Sequence, residues 1–239
     1  MKHRTKEGAD SRQRIVTAAT EVFAQKGKHG ATMEEIAVEA EVNKAMVYYY
    51  YSTKDSLFRA ILVTILRRVY DHVFDILASE ESSGANPAEK VAQLVNAHFV
   101  AFSEDVRFAK ILLHALANEP GDLKAALRVI RDQDETSKTR LPEALLVAVK
   151  EGISKKEFRE LDAGQVLISI IGMSLIYFID RPIAETLLNQ KVENDEIFLR
   201  ERGKGIVDLV LHGVMGRPNS SRRQRSPRSE STALRKRAR

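Results

Sequence analysis

A chain of 239 residues with 44% hydrophobic and 30% charged side chains can bury one large core or two smaller ones, in the balance of a soluble globular protein. It has no cysteine, which excludes disulfides, zinc–thiolate sites and thiol catalysis; its polar start (Lys2, Arg4, Lys6, Glu7) offers no apolar stretch for a signal peptide, so the expected location is the cytoplasm. The net charge of +5 is uneven: from Arg217 onward nine Lys or Arg accompany one acidic residue, Glu230, and the rest of the chain carries 29 basic against 32 acidic residues. Any nucleic-acid contact from the body must therefore come from local placement of charge.

Helical periodicity dominates in chain order. Residues 1–9 read as a flexible arm. Ile15, Ala18, Ala19, Val22 and Phe23 fall on one helical face, closed by Gly27. Met33, Ile36, Ala37 and Ala40 repeat the pattern over a short second helix, with Thr32 and Glu35 at capping-box spacing. Glu41-Val42 makes a brief turn and Asn43 caps a third helix. Ser52, with Asp55 three residues on, opens a long fourth helix through Leu57, Phe58, Ile61 and Ile65 toward Leu77. A loop at Ser82–Asn86 precedes Pro87 at a first helical position. Further helices are expected at 87–103, 105–118, 121–151 with Pro142 starting or kinking its second half, 163–180 and 195–214, with Arg181-Pro182 as an interruption. The Arg-, Ser- and Pro-rich stretch 217–239 reads as disordered. The fold class is all-α, nine or ten helices. The longest apolar run, Val166–Ile179, has 14 residues, short of the roughly 20 that span a bilayer, so no membrane partner is expected.

The third helix carries the most telling residues. Tyr48, Tyr49, Tyr50 and Tyr51 follow one another, and adjacent helical residues point about 100° apart, so at least two rings must face outward. Lys44, Ala45, Tyr48 and Tyr49 share one face; Val47 and Tyr51 lie on another, suited to packing against Ile36 and Ala40. Lys44 and Lys54 sit in first helical turns, where the helix dipole disfavours a cation unless a phosphate lies between. Thr32 can offer its hydroxyl to another phosphate. Three short helices ordered in this way form a helix-turn-helix.

The segments IVTAATEVFAQKG and ATMEEIAVEAEVNKAMVYYYYSTKDSL, followed by a long helix, resemble the TetR family of bacterial transcriptional regulators. That resemblance implies a DNA-binding domain over 10–58, with its helix-turn-helix at about 32–51. It places Lys44, Ala45 and Tyr48 at bases in the major groove, and Thr32, Tyr49, Tyr50 and Lys54 mainly at phosphates. Glu41 stands where the family usually has glycine, so the turn is expected to adopt the left-handed conformation less readily; Ala45 replaces another common glycine, and its methyl can meet a thymine methyl.

The resemblance implies that 59–216 form a helical ligand-binding and dimerisation domain. His98, Phe99, Phe102, Phe108, His114, Met173 and Tyr177 are the candidate effector-pocket side chains, for a small apolar or aromatic molecule. Ile170, Ser174, Phe178, Val207, Val210 and Leu211 are the candidate homodimer contacts. No cofactor is expected. Six histidines lie scattered without ligand spacing, so no metal is expected either, and no nucleophile–base pair or phosphate loop supports an enzyme. The expected function is a homodimeric repressor released from a palindromic operator in double-stranded DNA by a small effector. The alternatives are an activator of the same family and an architectural protein that binds DNA without sequence preference through its basic tail.

Overall fold

The computed structural model describes residues 2–79, 84–133, 141–175, 178, 181–189, 191 and 195–215. Among these, eleven helices and no strand are present: α1 (Lys2–Gly30), α2 (Met33–Glu39), α3 (Lys44–Tyr50), α4 (Lys54–Ala78), α5 (Pro87–Ser103), α6 (Val106–Asn118), α7 (Pro120–Gln133), α8 (Leu141–Ser154), α9 (Ala163–Leu175), α10 (Arg181–Leu188) and α11 (Asp195–Val214). The expected basic tail and Tyr177 lie outside the described residues.

The N-terminal helices pack around Ile15, Ala19, Phe23, Ile36, Val47 and Phe58, all fully buried. Phe23 and Phe58 meet edge to face at 5.1 Å between ring centroids; burying each such ring contributes about 1.5–3 kcal/mol. Gly27 lies inside α1 at φ 65°, so the helix is broken there as expected, although helical turns resume through Gly30. Helix α1 also continues back to Lys2, where a flexible arm is expected from the sequence.

The long α4 leaves this domain and packs along α5 and α7, which brings both halves onto one continuous core. Its cap is Thr53 with Ser56, one residue later than the expected Ser52. Asn86, Pro87 and Glu89 start α5 with a capping box. Helix α5 forms the centre of the second half, against α4, α8 and α11. The single long helix expected over 121–151 appears as α7 and α8, with Pro142 in the first turn of α8. The helix expected over 163–180 is described to Leu175, and α10 occupies a region expected to be an interruption. The end of α11 is tied down by the 155–160 loop. Arg159 donates its amide to the Val214 carbonyl at 3.0 Å and its Nε to the Gly213 carbonyl at 2.7 Å. In the same loop Phe158 lies over Gly152, where even a Cβ would stand 2.2 Å from the ring.

Candidate DNA interface and regulatory core

The reading head is built by local chemistry. Thr32 accepts the Glu35 amide at 3.2 Å, and Glu35 returns the bond to the Thr32 amide at 3.0 Å. The Lys26 ammonium, 2.7 Å away, and the Thr32 amide hold the Glu35 carboxyl below the usual carboxylate range. Asn43 caps α3 by accepting the Ala45 amide at 2.9 Å. Between the helices Glu41 takes φ 51°, the left-handed conformation, so the turn keeps its shape without glycine. Arg14 donates to the Glu41 carbonyl at 3.4 Å.

Helix α3 divides its side chains sharply. Val47 is fully buried and Tyr51 nearly so, with the Tyr51 hydroxyl accepting from Arg12 Nε at 3.3 Å. Tyr48 is 44% exposed and Tyr49 82% exposed, while Tyr50 is half-buried with its ring edge to face with Tyr49. Lys44 and Ala45 are exposed beside them. The Lys44 ammonium pairs with Glu34 of α2 and lies 5.8 Å from the centre of the Tyr48 ring. Met46 also shares the outward surface, a position that reads as core in sequence because its side chain is apolar. Thr32 is exposed, with its hydroxyl engaged in the cap. Lys54 is turned inward: its ammonium donates to the carbonyls of Ala31 at 2.8 Å and His29 at 3.4 Å. It caps the chain leaving α1, whose terminal carbonyls lack helical partners.

Next to Lys54 lies an ionic junction between the halves. The nearly buried Lys28 ammonium meets Asp122 at 2.6 Å, Glu119 at 2.9 Å and Asp55 at 3.1 Å. Burial opposes its charge, but the hydrogen bonds to Asp122, Glu119 and Asp55 outweigh it and hold Lys28 above its ordinary range. His29 Nε2 stands 2.6 Å from Glu119, and Arg59 3.7 Å from Asp122. Glu119 and Asp122 lie at the join between α6 and α7. Any displacement of that join thus acts directly on the end of α1 and the start of α4. A second tie runs from Arg107 of α6 to Glu21 of α1 at 3.2 Å.

The six expected pocket residues that are described occupy different places. His98, Phe99 and Phe102 of α5 are buried together; the His98 and Phe102 rings are 5.2 Å apart, and Phe99 lies 5.5 Å from Phe178. Burial pushes His98 down to about 4, so its imidazole is neutral near neutral pH, and its Nδ1 has no hydrogen-bond partner among the described residues. Phe108 is half-buried under the Arg68 guanidinium, 5.6 Å from the ring centre. His114 stands at the junction instead, with its Nδ1 3.3 Å from where a Cβ on Gly27 would lie. Met173 lines an outer groove of about 410 Å³ between α9 and α11, with Arg159, Asp162 and Leu209.

The expected dimer contacts are mostly committed to their own protomer. Ile170, Ser174, Phe178 and Val210 are buried, and Val207 and Leu211 are half-buried. Outward apolar positions on α9 and α11 include Ile168 (64% exposed), Gly172, Ile197 and Leu209 (58% exposed).

Over residues 15–61 the chain matches the family described as bacterial regulatory proteins, tetR family, and over 87–210 the tetracyclin repressor-like C-terminal domain. The second match takes in more than half of the chain. The chain belongs to the TetR family of bacterial transcriptional regulators. Among curated TetR-family proteins it is 23% identical over 213 residues to the transcriptional repressor BepR of Brucella suis, covering 88% of this chain and 90% of that one. To the transcriptional regulator BetI of the same organism it is 28% identical over 120 residues, 49% of this chain but only 59% of BetI. A solved Clostridium perfringens structure, provisionally described as a fatty acid metabolism regulator, superposes with a TM-score of 0.64 at 25% identity, covering 85% of this chain and 100% of that one. Members of the TetR family are DNA-binding regulators rather than enzymes.

Proposed function

We propose that this TetR-family regulator is a homodimeric repressor that leaves a palindromic operator when a small apolar or aromatic effector binds its C-terminal half. The observation that carries the reading is the division of α3: Val47 and Tyr51 hold the helix to the body while Lys44, Ala45, Tyr48 and Tyr49 stand outside. An outward row of this kind suits the major groove, where Lys and aromatic or methyl groups meet base edges. Thr32, Tyr49, Tyr50 and Lys54 take mainly the phosphates on either side. For Lys54 this requires it to share or exchange its carbonyl partners.

Dimerisation through α9 and α11 follows from their outward apolar residues Ile168 and Leu209 and from the two-fold symmetry of operators. The apolar character of the effector is supported by the neutral His98 beside Phe99 and Phe102, and by the description of the Clostridium perfringens relative. A ligand of this kind that carries one polar group would give His98 Nδ1 a hydrogen-bond partner. It relieves repression only to the extent that it prefers the conformation whose two heads no longer fit the operator.

Sedimentation of the full chain on the duplex it selects tests the assembly. Pairs of chains on each two-fold site are expected. A single chain bound to a site without symmetry overturns the dimeric reading.

A further inference from the structure

Helix α2 supports α3 and presents two adjacent glutamates with different tasks. Glu35 is spent on the capping box and on Lys26. Glu34 takes no part in the cap; it is exposed on the same side as α3, and its carboxylate pairs with Lys44. That acidic group lies on the surface that has to approach polyanionic DNA.

We infer that Glu34 is a positioning residue for DNA reading: it holds the Lys44 ammonium beside the Tyr48 ring, aimed at base edges and kept from the phosphates. The inference rests on the DNA-binding reading above and names how one side chain of that surface is controlled. A lysine carries its charge on a flexible four-carbon stem and, left free, follows the strongest nearby negative potential. Beside DNA that is the backbone, a contact that carries no sequence information. Here the ammonium is held from two directions, by the Glu34 carboxylate and by the face of Tyr48 at 5.8 Å. Of its three N–H donors, one is used by Glu34 and two stay available. Acceptors within reach of the groove are guanine O6 and N7 or thymine O4. The carboxylate itself repels phosphates, so the pair weakens binding to DNA in general and favours sites with the right acceptor in place. The ammonium thus serves as a directed donor instead of a loose counter-charge.

The dependence of affinity on salt separates these two uses of a lysine, because each phosphate neutralised steepens the slope of log affinity against log salt by about 0.9. The experiment uses the full chain, its Glu34→Gln and Lys44→Met variants and the double variant. Each is titrated with the duplex that wild type selects and with a scrambled duplex, after circular dichroism has shown all four folded. Glu34→Gln is expected to bind the scrambled duplex more tightly, with a slope steeper by about one. Its preference for the selected duplex should fall roughly tenfold. In the Lys44→Met background the same change should leave slope and preference unaltered and raise affinity for both duplexes equally, through the lost repulsion alone. The proposal is overturned if Glu34→Gln leaves slope and preference unaltered, or alters them equally when Lys44 is absent. A wild-type chain that prefers no duplex overturns the DNA-reading assignment as well, so the two failures are distinguishable.

Discussion

The reading head and the regulatory core use aromatic side chains in opposite ways. In α3, Tyr48 and Tyr49 are held outside the body by a helix anchored through Val47 and Tyr51. In α5, Phe99 and Phe102 are buried, and the Nδ1 of His98 beside them has no partner among the described residues. Exposed aromatics with no fold-stabilising task point to a ligand outside, and a buried polar atom without a partner points to one that comes in. The first contrast is visible in the order of residues along one helix. The second exists only once several helices have packed.

The largest test of this contrast acts where the halves meet. Replacing Lys28 by Met leaves Glu119 and Asp122 nearly buried without their shared cation. Stability to urea should fall by about 3–5 kcal/mol, as for other broken buried pairs. Adding Asp122→Asn should recover part of it. A loss near zero would mean that the junction does not hold the halves together.

The regulatory core should respond to acid already above pH 4, before the Glu35 carboxyl of the head, held below its usual range, takes up a proton. His98 binds a proton near pH 6.5 in the unfolded chain but only at about 4 when folded. Between those values the unfolded state holds more protons, so stability rises with pH across the window and is complete above it. Falling from pH 7 to 4 should remove roughly 3 kcal/mol on account of this group. His98→Phe should flatten that part of the profile in chemical denaturation. A curve that keeps its shape in the variant would assign the acid sensitivity elsewhere.

On the reading head, Tyr48→Ala should weaken binding to the selected duplex by about 1–3 kcal/mol and leave binding to scrambled DNA and the urea midpoint unchanged. Equal weakening on both duplexes would move Tyr48 from bases to phosphates. The smallest effect belongs to the turn. Glu41→Gly relieves a left-handed conformation at φ 51° and should stabilise the chain by about 1 kcal/mol. A loss of stability there would mean that the Glu41 side chain has a compensating contact.

What was legible in the sequence follows the same division. The caps at Thr32 and Asn43, Pro87 in a first helical turn, the break at Gly27 and the two-faced third helix all depend on residues within one turn of each other. The carbonyl partners of Lys54 lie 23 and 25 residues away, and no local pattern announces them. Helix α10 was hidden because Arg181-Pro182 reads as a breaker, whereas proline is tolerated in a first turn. Helix α9 shows the limit most clearly. Helix α9 is apolar on most sides, so spacing alone could not say which stripe faces inward. The stripe through Ile170 and Ser174 proved to be the inward one, and Ile168, two residues and about 200° away, faces out. The pocket residues divided for the same reason: His98 and His114 carry identical chemistry, and only packing sends one to the core and the other to the junction.

The central claim, that α3 reads sequence, is tested most directly by selecting random genomic fragments with the purified full chain at physiological salt. One palindromic motif, lost when Tyr48 is replaced by Ala, is the predicted result. Uniform recovery of all fragments, unchanged in that variant, would contradict it and leave the chain as a binder of DNA in general.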